Sequence, residues 1–205
     1  MGFFDRNRKQ LEERGIDPNR IPPGQYFTDR FPVLHVGDVP RYDDLSTWSL
    51  QIGGLVEQSV TLSWDDLLAQ PSVELTFDIH CVTKWSKLDT TWTGVKMTHL
   101  LSLARPLPSA THLLSHAEYG YTANTPLADA TVDNAIVAYR YDGEPLAPEH
   151  GYPVRLIIPH LYFWKSTKWL RGLELLDRDQ AGFWEQNGYH MYGDPWKEQR
   201  FWGDD

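Results

Sequence analysis

From residue 48 to about 176 the chain breaks into short runs that alternate apolar and polar residues, punctuated by Gly, Pro and Asp. That rhythm predicts strands joined by turns rather than long helices. Trp48-Ser49-Leu50-Gln51-Ile52 alternates and stops at Gly53-Gly54, a strand followed by a turn. Residues 60–62 predict a second strand. Ser63-Trp64-Asp65-Asp66 reads as a capping-box start, with Asp66 in place of the usual Glu or Gln, for a helix ending near Gln70-Pro71. Residues 73–79 alternate throughout and predict a strand that delivers Cys81 at its C-terminal end. A short helix is expected over residues 97–103, closed by Arg105-Pro106. Further strands are expected at residues 112–116, 135–140, 154–159 and 169–175, with Asp142-Gly143 as a tight turn.

Upstream, residues 5–14 alternate in charge and read as a short exposed helix or an arm. Residues 17–25 read as an extended linker, because proline blocks helix and disfavours it in the preceding residue. Residues 31–37 are a strand or loop entering the body. The expected organisation is an N-terminal arm and linker over 1–25 and one domain over 26–205. Many short strands with few short helices make the fold class α+β, with mixed β-sheets.

Apolar residues form 41% of the 205 positions, so the chain is globular. A net charge of −9 argues against nucleic acid or an anionic membrane as partner. No apolar run reaches transmembrane length, and none near the N-terminus suits a secretory signal. With a single cysteine there is no internal disulfide, and a reducing cytoplasm is the expected location.

That cysteine, Cys81, is a buried hydrophobe, a nucleophile or a soft metal ligand. Its position favours chemistry: it ends a strand and runs into Val82-Thr83-Lys84-Trp85-Ser86, where Lys84 or Lys87 would favour the thiolate. Arg155 lies on a buried-looking strand, where an unpaired guanidinium is expensive, so it forms an internal ion pair or clamps a phosphate. Lys165-Ser166-Thr167-Lys168 gathers ammonium, hydroxyl and backbone donors between Tyr162-Phe163-Trp164 and Trp169. A zinc site fits poorly, because no Cys-x-x-Cys and no His pair at helical spacing with an acidic partner is present. A cysteine hydrolase would use His116 or His150 as base to Cys81, since His80 points the opposite way on its strand. On residues alone that alternative stays open.

Cys81-Val82-Thr83-Lys84-Trp85-Ser86, then Trp92-Thr93-Gly94-Val95 and Leu100-Leu101, resembles the molybdenum-cofactor domain of the sulfite oxidase family. The likeness continues through Tyr139-Arg140-Tyr141-Asp142-Gly143-Glu144-Pro145-Leu146, Glu149-His150-Gly151-Tyr152-Pro153-Val154-Arg155-Leu156 and Lys165-Ser166-Thr167-Lys168-Trp169. It is nearest to short sulfite-oxidase-like proteins related to the catalytic subunit of bacterial methionine sulfoxide reductase. The resemblance implies a sulfite-oxidase-type fold and a molybdenum–molybdopterin cofactor with Cys81 as metal ligand and catalytic residue. It implies cofactor contacts from His35, His116, His150, Arg155, Ser166, Thr167 and Lys168, with Lys168 favoured over Lys165. The implied activity is oxygen-atom transfer to or from a small substrate, a sulfite-like oxyanion or a sulfoxide or N-oxide, with electrons passing to or from an unidentified partner. Trp85, Tyr121 and Trp164 are candidates to line the substrate pocket. A non-catalytic molybdopterin-binding protein is a further alternative. Thr83-Lys84 departs from the acidic-glycine pair common after Cys-Val in better-known relatives.

Overall fold

The computed structural model describes Lys9 and residues 11–204; the N-terminal residues 1–8, on which the reading of a missing secretory signal rests in part, lie outside it. Two mixed sheets carry the architecture, as α+β patterning leads one to expect. The first sheet contains β1 (Tyr26–Phe27), β4 (Ser72–His80), β5 (Trp85–Lys96), β8 (Ile136–Tyr141), β9 (Glu144–Pro145) and β10 (Arg155–Ile157). The second runs β3–β2–β11–β6–β7, where β2 is Ser49–Gly54, β3 Val60–Ser63, β6 His112–Ala117, β7 Thr122–Pro126 and β11 Leu170–Leu176. The pairs β1–β5 and β2–β11 are parallel; the others are antiparallel.

Helix α1 (Trp64–Leu68) starts where its capping box predicts. The Ser63 hydroxyl accepts from the Asp66 N–H, and the Asp66 carboxylate accepts from the Ser63 N–H. Helix α2 (Met97–Ala104) buries Met97, Leu100, Leu101 and Ala104, the i, i+3, i+4, i+7 face. These side chains pack with Trp48, Leu50, Ile52, Leu113 and Leu173 of the second sheet, so the larger core sits between that sheet and the helix. A smaller core of Ile79, Trp85, Trp92, Ile157, Tyr162 and Phe163 lies under the first sheet.

One expectation changes and another is resolved. The proline-rich stretch at 17–25 is not simply extended: Pro18–Arg20 forms a 3₁₀ turn capped by the Asp17 carboxylate, which a proline in the first helical position allows. Of the strand or loop expected over residues 31–37, the structure shows a loop. The long strand β5 is absent from the sequence reading. Its alternation is interrupted at Asp89, whose φ of 53° coincides with a register shift against β4 between Phe77 and Ile79. A second shift against β8 falls at Thr93/Gly94. There a side chain at Gly94 would strike the Val137 carbonyl and sit 2.7 Å from the Ala138 Cα, so the close crossing of β5 and β8 demands glycine.

Candidate active site

Strand β4 ends at His80, and the chain turns through Cys81-Val82-Thr83-Lys84 back into β5. The Lys84 N–H donates to the Cys81 carbonyl at 2.9 Å, and the Cys81 N–H donates to the Trp85 carbonyl at 2.8 Å. Lys84 takes a φ of 76°, a conformation that favours glycine. The departure noted at this position therefore places a lysine where the backbone suits glycine. Cys81 is buried, and its Sγ lies 3.2 Å from the Thr83 hydroxyl. Burial pushes the thiol's pKa up, and Thr83, Arg155 and Lys168 pull it down. The cations acting on the thiol are thus Arg155 and Lys168 rather than the neighbouring lysines. Lys84 is exposed, and Lys87 is held by the Asp29 carbonyl at 2.8 Å.

Cys81 lies on the wall of a cleft of about 430 Å³ that gathers seven of the eight candidate site residues: His35, Cys81, His150, Arg155, Ser166, Thr167 and Lys168. The eighth, His116, is elsewhere. Side chains alternate along β6, so Ser115 turns inward to the Thr167 hydroxyl at 2.7 Å and His116 turns outward. Its Nε2 lies 2.8 Å from the Glu174 carboxylate, in a depression on the opposite face of the second sheet. The same displacement removes His116 as a base for Cys81.

The remaining residues form a cationic corner. Arg155 is only 2% exposed, yet its guanidinium donates only to main-chain carbonyls, to His150 at 2.9 Å and to Ser166 at 2.8 Å. Its Nε is buried with no partner. Burial without a carboxylate lowers its pKa to about 9, which leaves the charge intact at neutral pH. Lys168 donates to the Leu34 and Glu149 carbonyls, both at 2.8 Å, and burial and Arg155 push it down to about 7. The His150 ring stacks on Phe31 at 3.8 Å, and burial and the same two cations lower it to about 4, so it is neutral. Gly151, at a φ of 115°, lets Arg155 and Lys168 close in: an added Cβ would meet their Cβ atoms at 3.1 and 3.3 Å. Ser166 is spent on the Ile158 N–H at 3.0 Å. One buried and one half-buried cation without a carboxylate partner among the described residues suit an anion.

The same cleft is also lined by aromatic side chains. Trp85, Tyr121 and Trp164 line it as expected, joined by Phe183, Trp184 and Tyr189 from a C-terminal segment that the sequence reading did not assign. Lys165 holds that segment. Its fully buried ammonium lies 2.7 Å from Glu185 and donates to the Met191 carbonyl at 2.6 Å, while Glu185 also accepts from the Trp164 indole at 2.7 Å. Lys165 is therefore structural, and Lys168 is the lysine that reaches the cleft. No group of three or more His, Cys, Asp or Glu residues among those described is arranged to hold a metal, so a metal at Cys81 would take its other ligands from a cofactor.

The family model described as the oxidoreductase molybdopterin binding domain matches residues 36–184. This chain belongs to that family. It is 51% identical over 199 residues to an uncharacterized oxidoreductase, YuiH, of Bacillus subtilis, covering 97% of this chain and 98% of the relative. It is 30% identical to the protein-methionine-sulfoxide reductase catalytic subunit MsrP of Gluconobacter oxydans, over 71% of this chain and 52% of that one. It is 26% identical to the sulfite oxidase of Arabidopsis thaliana, over 80% of this chain and 51% of the enzyme. The chain thus spans about half the length of the latter two relatives. Among solved structures, the sulfane dehydrogenase SoxCD of Paracoccus pantotrophus superposes with a TM-score of 0.61 at 24% identity, covering 67% of this chain and 40% of that one. The protein is a molybdopterin-binding oxidoreductase with a sulfite-oxidase-type fold, and no helix among its described residues is long and apolar enough to cross a membrane.

Proposed function

We propose that the Cys81 thiolate is the single protein ligand of the molybdenum, and that residues 26–205 act as one unit around it. The observation that carries this reading is the position of the thiol, in the same cleft as a buried Arg155 and a half-buried Lys168, neither of them paired with a carboxylate among the described residues. Arg155 and Lys168 grip the phosphate of the pterin, neutral His150 and the Thr167 hydroxyl supply hydrogen bonds, and the Ser166 backbone fixes the guanidinium. His35, edge-on to Trp169 at 5.8 Å, closes the rim. The cofactor, when bound, supplies two-electron oxygen-atom transfer. The chain orients it, keeps water from the thiolate and shapes access.

The aromatic lining of Tyr121, Trp164, Phe183, Trp184 and Tyr189 favours an uncharged organic sulfoxide or N-oxide over a sulfite-like oxyanion. Electrons pass to or from a separate redox partner. A cysteine hydrolase receives less support: the thiol's hydrogen-bond partner is a threonine rather than a histidine. The test is metal and pterin content, with the thiolate-to-metal charge-transfer band, of wild type and Cys81→Ser purified from a molybdate-fed host. Loss of that band in the variant supports the ligand assignment; full retention of both metal and band in Cys81→Ser removes it.

A further inference from the structure

Upstream of the matched span, residues 20–28 run across the cysteine turn and touch it three times. The Gln25 side-chain amide donates to the Cys81 carbonyl at 3.0 Å. The Tyr26 N–H donates to the Lys84 carbonyl at 2.8 Å, and the Thr28 N–H to the Ser86 carbonyl at 3.0 Å. Just before them, Arg20 bridges Asp78 and Asp89, both at 2.6 Å, on the strands that enter and leave the turn. Gln25 itself is 2% exposed. A long, flexible polar side chain of this kind is rarely buried so fully unless a specific bond holds it.

The burial has a visible cause. Arg200 donates to the Pro23 carbonyl at 3.4 Å, and Glu198 packs so tightly over Gly24 that a side chain there would strike its carboxylate. The C-terminal segment therefore presses residues 23–25 onto the cysteine turn. Among the described residues, two donors reach the Cys81 carbonyl: the Lys84 N–H from within the turn and Gln25 from outside it. The first moves with the turn and cannot fix its place in the cleft. The second ties it to a separate segment, immediately before β1.

We infer that Gln25 is a positioning residue for the metal-ligating thiol: it holds the Cys81 backbone so that Sγ keeps one orientation in the cleft. The inference rests on Cys81 being the ligand, and its test separates the two. Because Cys81 is the only cysteine in the chain, a thiol reagent reads this one site in the cofactor-free protein. Gln25→Met keeps the length of the side chain and removes the donor. Its Cys81 should react with an aromatic disulfide reagent about fivefold faster than wild type, the factor one lost hydrogen bond is worth. Ile52→Val, a destabilised variant in the other core, serves as control and should react at the wild-type rate. In the molybdenum-loaded protein Gln25→Met should retain the metal and shift the thiolate-to-metal charge-transfer band. An unchanged reaction rate, or an unshifted band with the metal retained, overturns the positioning role. If Gln25→Met does not fold, Gln25→Asn, whose shorter side chain withdraws the donor, is judged by the same two readouts. Cys81→Ser distinguishes the premise: a variant that keeps both the metal and the band sinks the ligand assignment, whatever Gln25 does.

Discussion

Replacing Glu185 with alanine tests how the aromatic wall is attached. Lys165 and Glu185 are both fully buried, and Lys165 also donates to the Asn124 carbonyl at 3.0 Å and the Asn124 side-chain oxygen at 2.7 Å. Glu185→Ala leaves the ammonium buried with dipoles only, and leaves the Trp164 indole N–H without its acceptor. Stranding one partner of a buried ion pair costs about 3–5 kcal/mol. For a domain of this size each kcal/mol lowers the melting midpoint by about 2–4 °C, so the variant should melt roughly 6–20 °C below wild type. Chemical denaturation followed by circular dichroism gives the free energy directly. The double variant Lys165→Met/Glu185→Leu removes both charges and should recover most of the loss, because a buried pair exchanged for apolar residues is often near neutral. A single variant within about 1 kcal/mol of wild type, or a double variant no better than the single, would show that the pair does not anchor residues 182–193.

Sulfate remains a dianion across neutral pH and probes the cationic corner in the cofactor-free protein by tryptophan fluorescence. Lys168 titrates near 7 when no anion is bound and His150 near 4, so the protonated lysine that sulfate requires grows as pH falls. Affinity should rise about tenfold from pH 8 to pH 6, and Lys168→Met should abolish that slope; a flat profile in wild type refutes the assignment. Gly94→Ala forces a side chain into the β8 backbone and should cost about 3 kcal/mol or more, read as a denaturation midpoint; a neutral result would mean that β5 and β8 separate freely. Lys84→Gly relieves a left-handed lysine at the cysteine turn and should be neutral or stabilising by up to about 1 kcal/mol, with loss of stability as the contrary outcome.

Local chemistry was well written in the sequence where it acts locally. The Ser63/Asp66 cap, the α2 face and the delivery of Cys81 by β4 follow from spacing, because each depends on residues within one or two turns of chain. Strand β5 was hidden because Asp89 resets the alternation that a period of two relies on. His116 was misplaced for lack of a single bit of information, namely which face of β6 is inward. The pairing of Ser115 with Thr167 settles that, across a separation that no local pattern spans. The C-terminal part of the aromatic wall was missed for the same reason. Phe183, Trp184 and Tyr189 look like ordinary packing residues until the Lys165–Glu185 pair brings them to the cleft. The signal available in advance was a lysine inside an otherwise apolar stretch, which must find a partner somewhere.

The parallel pairing of β2 with β11 bears on how the molecule is made. It joins Ser49–Gly54 to Leu170–Leu176, a contact of very high sequence separation that must await most of synthesis. At about 5–20 residues per second, roughly 5–20 s pass between the emergence of Cys81 and that of Tyr189. Until then the nascent chain carries the thiol without the complete lining of its cleft, to which Phe183, Trp184 and Tyr189 are the last contributors. The cleft is therefore assembled late, from segments on both sides of the last sheet strand.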